Sequence, residues 1–222
     1  MGEGDSHLAR RFRDEAAERC RIETMQSPER TFWDRGLVHV AGVDEAGRGP
    51  LAGPVVAAAV AFPPNVFLPG IDDSKRLTAR QREALVPEIQ RLALATGIGV
   101  AEADEVDAVN ILNATHRAMS RAVAALGLAV NHVLVDGRGL HDPPWPQTAI
   151  VGGDRICFSI AAASILAKTH RDGLMVRWDA VYPEYGFAAH KGYGSLAHRE
   201  AIQKHGPCPL HRRSFSWGEA LP

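Results

Sequence analysis

The fold of this chain follows from one stretch, Val43-Asp44-Glu45-Ala46-Gly47-Arg48-Gly49-Pro50-Leu51-Ala52-Gly53-Pro54, in which two adjacent acids precede a run rich in glycine and proline. Valines precede the stretch, and an uninterrupted apolar run over 55–62 follows it. Branched aliphatic residues favour strands, whereas glycine and proline mark turns. The stretch therefore predicts two strands joined by a glycine-rich hairpin loop, with both acids where the first strand ends.

Beyond this hairpin, helical and strand patterns alternate along the chain. Helices are predicted over 79–95, 110–126 and 159–181, and from Ser195 to Gly206. Strands are predicted over 98–101, 132–135 and 148–151. Thr78 and Gln81 form a capping-box pair at the start of the first helix. A strand pair followed by alternating helices and strands is typical of an α/β fold with a mixed sheet.

The composition divides the chain into three parts. Its 222 residues, of which 45% are hydrophobic, are enough for one main domain with appendages. Residues 1–36 are rich in Arg and Glu and predict a helical extension that docks through Phe32 and Trp33. The main domain is expected over 37–217, and a short tail over 218–222.

Composition also excludes several classes of protein. The formal net charge of -1 shows no global basicity, so any site for a polyanion must come from local charge separation. Three scattered cysteines make no disulfide framework, which indicates a reducing, cytoplasmic compartment. The longest apolar run, over 55–62, is far shorter than the roughly 20 residues that span a bilayer, so no membrane insertion is expected.

Four acidic residues stand where predicted strands end or loops begin: Asp44, Glu45, Asp136 and Asp154. Strand ends are where α/β folds place their functional sites. Any one such acid is more often a solvated strand terminator, but four together are typical of a site for hard divalent cations. Two such cations can clamp the attacking and leaving oxygens of a phosphodiester. No Cys or His competes at these positions, which disfavours zinc.

Further motifs follow in order along the chain: Asp73-Ser74-Lys75, Val135-Asp136-Gly137, Gly153-Asp154, Ala162-Ala163-Ser164-Ile165-Leu166-Ala167-Lys168, His190-Lys191-Gly192-Tyr193 and His211-Arg212-Arg213-Ser214-Phe215. Together with the glycine-rich stretch they resemble the signature of the ribonuclease HII family, over residues 40–217. The resemblance implies an α/β fold of the ribonuclease H-like type. Its mixed five-stranded sheet would be flanked by helices, with extra C-terminal helices.

The resemblance also implies an activity, that of a monomeric endoribonuclease acting on RNA–DNA hybrids and on duplex DNA that contains ribonucleotides. Asp44, Glu45, Asp136 and Asp154 would then hold catalytic Mn²⁺ or Mg²⁺. Cleavage is expected on the 5′ side of a ribonucleotide, leaving a 3′-hydroxyl and a 5′-phosphate. Ribonucleotide removal and RNA primer processing are the implied roles.

The adjacent acids raise a geometric problem. Neighbouring residues of a regular strand point to opposite faces of the sheet, so Asp44 and Glu45 should not both reach one site. We therefore expect a bend or bulge in the strand at this point, or a contribution of Glu45 through its carbonyl oxygen.

By resemblance, Gly47, Arg48, Gly49 and Tyr193 recognise the ribonucleotide. Backbone without side chains can approach a nucleotide closely and form a hydrogen bond with its 2′-hydroxyl, the group that separates RNA from DNA. Arg48 could contact a phosphate instead, and Tyr193 would stack on the sugar where RNA gives way to DNA. The alternatives are a plain hairpin turn for the loop and packing for the tyrosine.

A local basic patch is predicted over 186–217, where Lys and Arg outnumber acids. The resemblance implies that Lys191 and Arg212 in this patch bind backbone phosphates. Lys75 and Ser164 match family motifs and are expected to line the nucleic-acid groove.

Other interpretations stay open. His205, Cys208 and His211 recur at three-residue spacing, as in some metal sites, although the prolines between them make an irregular loop. A non-catalytic hybrid-binding protein would lack at least one of the four acids, and none is missing. Another nuclease of the same fold would lack the Gly-Arg-Gly turn after paired acids. Ribonuclease HIII resembles this core preceded by an extra domain, which residues 1–36 are too few to form.

Overall fold

A computed structural model describes the backbone of residues 3–217 and the side chains of residues 14–217. The tail predicted over 218–222 lies outside the described residues. The strands are β1 Val40–Ala46, β2 Val55–Ala61, β3 Ala95–Ala101, β4 His132–Asp136 and β5 Gln147–Ile150. The helices are α1 Glu3–Met25, α2 Ser27–Trp33, α3 Ala79–Leu92, α4 Ala103–Ala124, α5 Gly153–Ile156, α6 Phe158–Val181, α7 Phe187–His190 and α8 Leu196–His205. No helix in this described part is long and apolar enough to cross a membrane.

The strands form one mixed sheet in the order β3-β2-β1-β4-β5. The predicted hairpin is confirmed, because β1 and β2 pair antiparallel, and β3 continues this antiparallel half. On the other side β1, β4 and β5 run parallel. The chain passes from β3 to β4 through α4, which crosses one face of the sheet so that β4 runs parallel to its neighbour β1. The carboxyl ends of β1 and β4 therefore meet at the same edge of the sheet.

Helices cover both faces of the sheet, α4 on one and α6 on the other. Every residue of β2 is buried, as expected for a strand enclosed by helices. Small residues let these helices approach closely. A Cβ on Gly99 would lie 2.0 Å from the Ala118 carbonyl oxygen of α4, and one on Gly42 would lie 2.4 Å from the Ile160 nitrogen of α6. The two helices thereby fix the positions of the strand ends.

The local signals at helix ends are largely confirmed. Thr78 and Gln81 form the predicted capping box of α3, and Ser195 and Gly206 flank α8. The helix predicted from residue 110 instead begins at Ala103. Asn110 interrupts it with φ 66° and ψ 165°, and its side chain accepts hydrogen bonds from the Leu112 and Asn113 amides. The prediction therefore identified only the second of two helical segments.

The helices before β1 are anchored by more than the two predicted aromatics. The Phe32 ring stacks on His132 with centroids 4.0 Å apart, and Trp33 packs beside it. In addition, the buried carboxylate of Glu29 accepts the Ser159 amide at 2.7 Å and the Ser159 hydroxyl at 2.6 Å. Since the Ser159 amide belongs to the first turn of α6, the N-terminal segment satisfies a donor of the helix that supports the site.

Candidate active site at the carboxyl edge of the sheet

The four predicted acids come together at one edge of the sheet. Asp44 and Glu45 lie at the end of β1, Asp136 ends the neighbouring parallel strand β4, and Asp154 lies in α5 just after β5. Asp136 Oδ1 accepts the backbone amide of Gly153 at 2.7 Å, which links the end of β4 to the start of α5. The topology therefore gathers acids that are more than 100 residues apart in the chain, such as Asp44 and Asp154.

Mutual repulsion marks the cluster as one electrostatic unit. Burial raises the pKa of Asp44 well above its usual range, and the charges of Glu45, Asp136 and Asp154 raise it further. Burial also raises the pKa of Glu45, which the nearby Arg48 guanidinium partly lowers again. For Asp136, burial and then the charge of Asp154 raise the pKa. The protein thus holds several carboxylates where ionisation is unfavourable without a cation.

Of the alternatives expected at the adjacent acids, a bulge in β1 is wrong. Pairing between β1 and β2 is uninterrupted from Ala41 to Ala46, so the two acids do point to opposite faces. Glu45, on the α4 side, lines a cleft of about 680 Å³ that also contains Asp136. Asp44 lies opposite Ala58, whose side chain belongs to the core on the α6 side. Glu45 therefore lies on the α4 side of the sheet end and Asp44 on the α6 side, and the charge of Asp136 acts on both.

Lys75 is the cation that pairs with Asp154 in the cluster. Its Nζ lies 2.8 Å from Asp154 Oδ2 and 3.8 Å from Asp73 Oδ1, while the side chain is 74% exposed. Burial alone would lower the pKa of Lys75, but the hydrogen bond to Asp154 and the nearby carboxylates raise it. Lys75 is thus placed to neutralise Asp154 and still reach an incoming anion.

Ser164 does not line a groove, which corrects the prediction. It is buried at 2% exposure, donates its hydroxyl to the Ala161 carbonyl, and accepts the Ser74 amide at 3.3 Å. Its contact holds the turn that carries Lys75. Ser164 is therefore a support of the site rather than a surface contact.

The donor set of the cluster fits a hard divalent cation. Carboxylate oxygens are the ligands that Mg²⁺ and Mn²⁺ prefer, and crowded buried carboxylates gain most from a cation. Among the described residues, no group of three or more histidine, cysteine, aspartate or glutamate side chains stands in an arrangement that could already hold a metal ion. The acids are adjacent but open, with Lys75 against Asp154. His205, Cys208 and His211 likewise form no group among the described residues that could hold a metal ion, and His211 Nε2 lies 3.0 Å from His198 Nε2 instead.

The glycine-rich loop and Tyr193 border the acid cluster. Arg48 is exposed and lies 3.3 Å from Glu45, which connects the loop to the acids. Gly47 has φ +96°, and a Cβ there would lie 2.0 Å from Arg171 Nε, so only glycine fits. Gly49 is exposed instead, facing the half-exposed Tyr193 ring. Gly47 is therefore required by the packing of the loop, whereas Gly49 leaves the surface beside Tyr193 free of a side chain.

Arg212 is buried, which corrects its prediction as a phosphate ligand. It is 0% exposed, and its guanidinium donates to the carbonyl oxygens of Gly47, Arg48, Pro50 and Gly53. Burial lowers the pKa of Arg212 to about 9, and the charge of Arg171 adds to this. With its donors occupied, the side chain supports the loop and is not free for a phosphate.

The rest of the predicted basic patch is smaller than the count of its residues suggests. Lys191 is half-buried and donates its Nζ to the Ala188 carbonyl. Arg199 donates to the Gly194 and Trp217 carbonyls. The Lys204 and Arg213 side chains are exposed. The patch therefore divides into cations that hold the C-terminal segment together and cations that face solvent.

The sequence analysis missed two buried residues of this region. Arg171 donates to the Pro54, Lys191 and Ala52 carbonyls, and its spacing of four from buried Ala167 and Met175 could have identified an inward-facing arginine. His198 is one of 10 histidines in the chain, and no local pattern distinguishes it.

Comparison with known proteins places this geometry among characterised folds. The family model described as Ribonuclease HII matches residues 41–217. A ribonuclease HII of Moorella thermoacetica is 52% identical over 204 residues, covering 92% of this chain and 99% of that protein. One of Syntrophotalea carbinolica is 57% identical over 181 residues, covering 82% and 87%. The crystal structure of ribonuclease H2 from Pyrococcus horikoshii superposes with a TM-score of 0.64 at 26% identity, covering 80% and 94%.

Proposed function

Because the chain belongs to the ribonuclease HII family and has its ribonuclease H-like fold, we propose that it hydrolyses the RNA strand of RNA–DNA hybrids and cuts beside ribonucleotides embedded in duplex DNA. Cleavage falls on the 5′ side of the ribonucleotide and leaves a 3′-hydroxyl and a 5′-phosphate. These products suit ribonucleotide removal and RNA primer processing.

One observation carries the proposal: the acid cluster adjoins an exposed edge formed by the glycine-rich loop and Tyr193. Glu45 of the cluster and Arg48 of the glycine-rich loop form an ion pair at 3.3 Å. Gly49 of the same loop is exposed and lies beside the half-exposed Tyr193 ring. A nucleotide held at this edge would present its phosphate to the carboxylates. Chemistry and recognition would then act on the same residue of the substrate.

In the proposed site, Asp44, Glu45, Asp136 and Asp154 would hold Mn²⁺ or Mg²⁺. When bound, such a cation stabilises charge that develops on the phosphate and favours ionisation of a nearby water. Asp44 and Glu45, on opposite faces at the end of β1, enclose the scissile position from two sides. The Glu45 side chain would act from the α4 face, whereas its carbonyl oxygen would act from the plane of the sheet.

The remaining residues orient the substrate. Backbone groups of the loop over 47–49 lie close to the sugar and exchange hydrogen bonds with its 2′-hydroxyl, while Tyr193 stacks against the ring. The exposed Lys75 leaves Asp154 when a phosphate arrives and contacts that phosphate instead. A site built to bond a hydroxyl rejects the analogue that lacks it by about 10⁴–10⁵, so all-DNA duplex stays uncut.

Cleavage of a duplex with a single ribonucleotide, mapped at nucleotide resolution, tests the function. We expect one cut on the 5′ side of that ribonucleotide and no cut in the matching all-DNA duplex. A cut elsewhere, or no cut with either Mn²⁺ or Mg²⁺ present, would refute the proposal.

Variants of the acids test the site. Asp44→Asn and Asp136→Asn should lower the cleavage rate by roughly a hundred- to ten-thousandfold, while hybrid binding, measured by fluorescence anisotropy, persists. Asp34→Asn is the matched control, because Asp34 is exposed and precedes β1 at the opposite end of the strand. Near-wild-type turnover in Asp44→Asn would remove the acids from the mechanism.

A further inference from the structure

The C-terminal segment over 210–212 runs directly against the glycine-rich loop. The Gly53 amide donates to the Leu210 carbonyl at 2.8 Å, and the Arg212 amide donates to the Leu51 carbonyl at 2.9 Å. Between these bonds, Ala52 and His211 form an isolated antiparallel bridge. The loop is therefore paired, residue by residue, with a segment about 160 positions later in the chain.

The Arg212 side chain holds the whole loop from beneath. Nε donates to Gly53 O at 3.0 Å, Nη1 to Arg48 O at 2.9 Å and Pro50 O at 2.8 Å, and Nη2 to Gly47 O at 2.6 Å and Gly53 O at 2.8 Å. An arginine has five N–H donors in a planar fork. All of them end on carbonyl oxygens of one loop, so the fork fixes the loop's shape.

The neighbouring His211 reaches Tyr193 through a second histidine. The Cys208 amide donates to His211 Nδ1 at 3.0 Å, so the proton of a neutral His211 lies on Nε2. His211 Nε2 is 3.0 Å from His198 Nε2, which must then accept. His198 therefore carries its proton on Nδ1 and donates it to the Tyr193 carbonyl at 2.9 Å. The tautomers follow from these partners.

Two adjacent buried residues thus hold the two parts of the surface proposed to recognise the sugar: Arg212 contacts the glycine-rich loop, and His211 acts on Tyr193. We propose that the His211–Arg212 pair is a positioning element: Arg212 sets the glycine-rich loop, His211 sets Tyr193 through His198, and together they determine selectivity for a ribonucleotide. The inference rests on the proposed function, in which the loop and Tyr193 read one sugar. A displacement of about 1 Å in such a site can cost about 10²-fold in rate.

Direct contacts between the two parts support a single rigid unit. The Leu51 amide donates to the Gly192 carbonyl at 2.8 Å. Arg171 donates to Lys191 O at 3.0 Å and to Ala52 O at 3.1 Å. A small shift of the glycine-rich loop is therefore transmitted to the segment that carries Tyr193, and the reverse. The position proposed for the sugar thus depends on both Arg212 and His211.

A matched pair of variants separates positioning from phosphate binding. Arg212→Lys keeps the charge but loses the fork, whereas Arg213→Lys makes the same change at the next, exposed residue. We expect Arg212→Lys to lower kcat/KM for a single embedded ribonucleotide at least about tenfold more than for a long hybrid. Arg213→Lys should leave this ratio as in the wild type. The slope of affinity against salt should not change in Arg212→Lys, because no phosphate contact is lost.

Variants of His198 test the contact between His211 and Tyr193. His198→Leu removes the donor to the Tyr193 carbonyl, whereas His198→Asn places an amide donor near the position of Nδ1. We expect His198→Leu to lower the ratio of kcat/KM for a single embedded ribonucleotide to kcat/KM for a long hybrid. His198→Asn should keep most of this ratio. This pair also decides the matter if Arg212→Lys does not fold.

Hydrogen exchange gives a readout that does not require cleavage. Amides over 47–53 should exchange faster in Arg212→Lys than in Arg213→Lys, and amides over 190–195 faster in His198→Leu than in His198→Asn. If the wild type cuts neither substrate, the proposed function fails. Hydrogen exchange still tests whether Arg212 holds the glycine-rich loop and whether His198 holds Tyr193. An unchanged substrate ratio in both Arg212→Lys and His198→Leu, or a lower salt slope in Arg212→Lys, would overturn the inference.

Discussion

Gly49 faces the ring of Tyr193 so directly that a Cβ on Gly49 would lie 3.8 Å from Tyr193 Cε1. That distance is ordinary van der Waals contact, and Gly49 does not have positive φ. Alanine at this position would therefore be accommodated by the free protein. Its methyl group would project at the exposed surface where the sugar is proposed to lie.

Gly49→Ala should accordingly separate stability from function. We expect a melting temperature within about 1 °C of the wild type, because a surface change with no clash has little effect. Cleavage at a single ribonucleotide should fall by about tenfold or more, since the methyl occupies the space proposed for the sugar. Unchanged cleavage would mean that the surface at Gly49 does not receive the nucleotide.

Gly47→Ala should behave in the opposite way. Gly47 has φ +96°, and its Cβ would lie 2.0 Å from Arg171 Nε and 2.7 Å from the Pro54 carbonyl. We expect a loss of about 2 kcal/mol or more in the free energy of unfolding, from backbone strain and overpacking together. Urea unfolding of both glycine variants measures the difference, and equal stabilities would contradict the structural assignment.

Tyr193→Ala should damage one substrate more than another. A long hybrid offers many registers, whereas a single ribonucleotide offers one, so loss of a stacking ring costs more on the second. Stacking on an aromatic ring is worth about 1–3 kcal/mol, which corresponds to about 5- to 150-fold in kcat/KM. Tyr193→Phe keeps the ring and is the control. Equal slowing of both substrates by Tyr193→Ala would assign the residue to packing.

Asp44→Asn should stabilise the metal-free protein. Burial and three neighbouring acids raise the pKa of Asp44 above 3.8, its ordinary value. The unfolded chain ionises at lower pH than the folded one, so wild-type stability falls as pH rises through this range. With a chelator at pH 7.5 we expect the melting temperature of Asp44→Asn to exceed that of Asp34→Asn by about 3 °C or more. Saturating Mn²⁺ should remove the advantage, because the cation binds only the wild-type cluster.

Acid should weaken the contact between His198 and His211. Burial lowers the pKa of His198 from 6.5 to about 4, the Tyr193 carbonyl opposes this, and the charges of His190, His211 and Arg199 lower it further. The stability that neutral His198 contributes is present above pH 6.5 and is lost as pH falls towards 4. The full effect is at most about 3 kcal/mol.

Urea unfolding at pH 7 and pH 4.5 measures the histidine contribution. His198→Asn should lose less stability between the two pH values than the wild type does, because its side chain does not titrate. His141→Asn, on an exposed loop, is the control and should follow the wild type. Identical pH dependence in all three proteins would exclude His198 as the titrating group.

The sequence by itself determined the strands, most of the helices and the edge at which the acids gather. Valine-rich runs, turn glycines and capping residues act on their chain neighbours, so the hairpin, the capping box of α3 and the bounds of α8 could be predicted locally. Once strands and crossovers are placed, acids at the carboxyl ends of β1 and β4 must lie together. The family motifs carried the same information.

Only the tertiary structure decided which motif residues are buried and which are exposed. Arg212 and Arg213 are neighbours of the same type, yet one is fully buried beneath a loop 165 residues away and the other is exposed. Ser164 is likewise buried under Ser74, 90 positions earlier in the chain. Local patterns cannot encode such choices, because burial and hydrogen-bond partners are set by whichever distant segment packs against a residue.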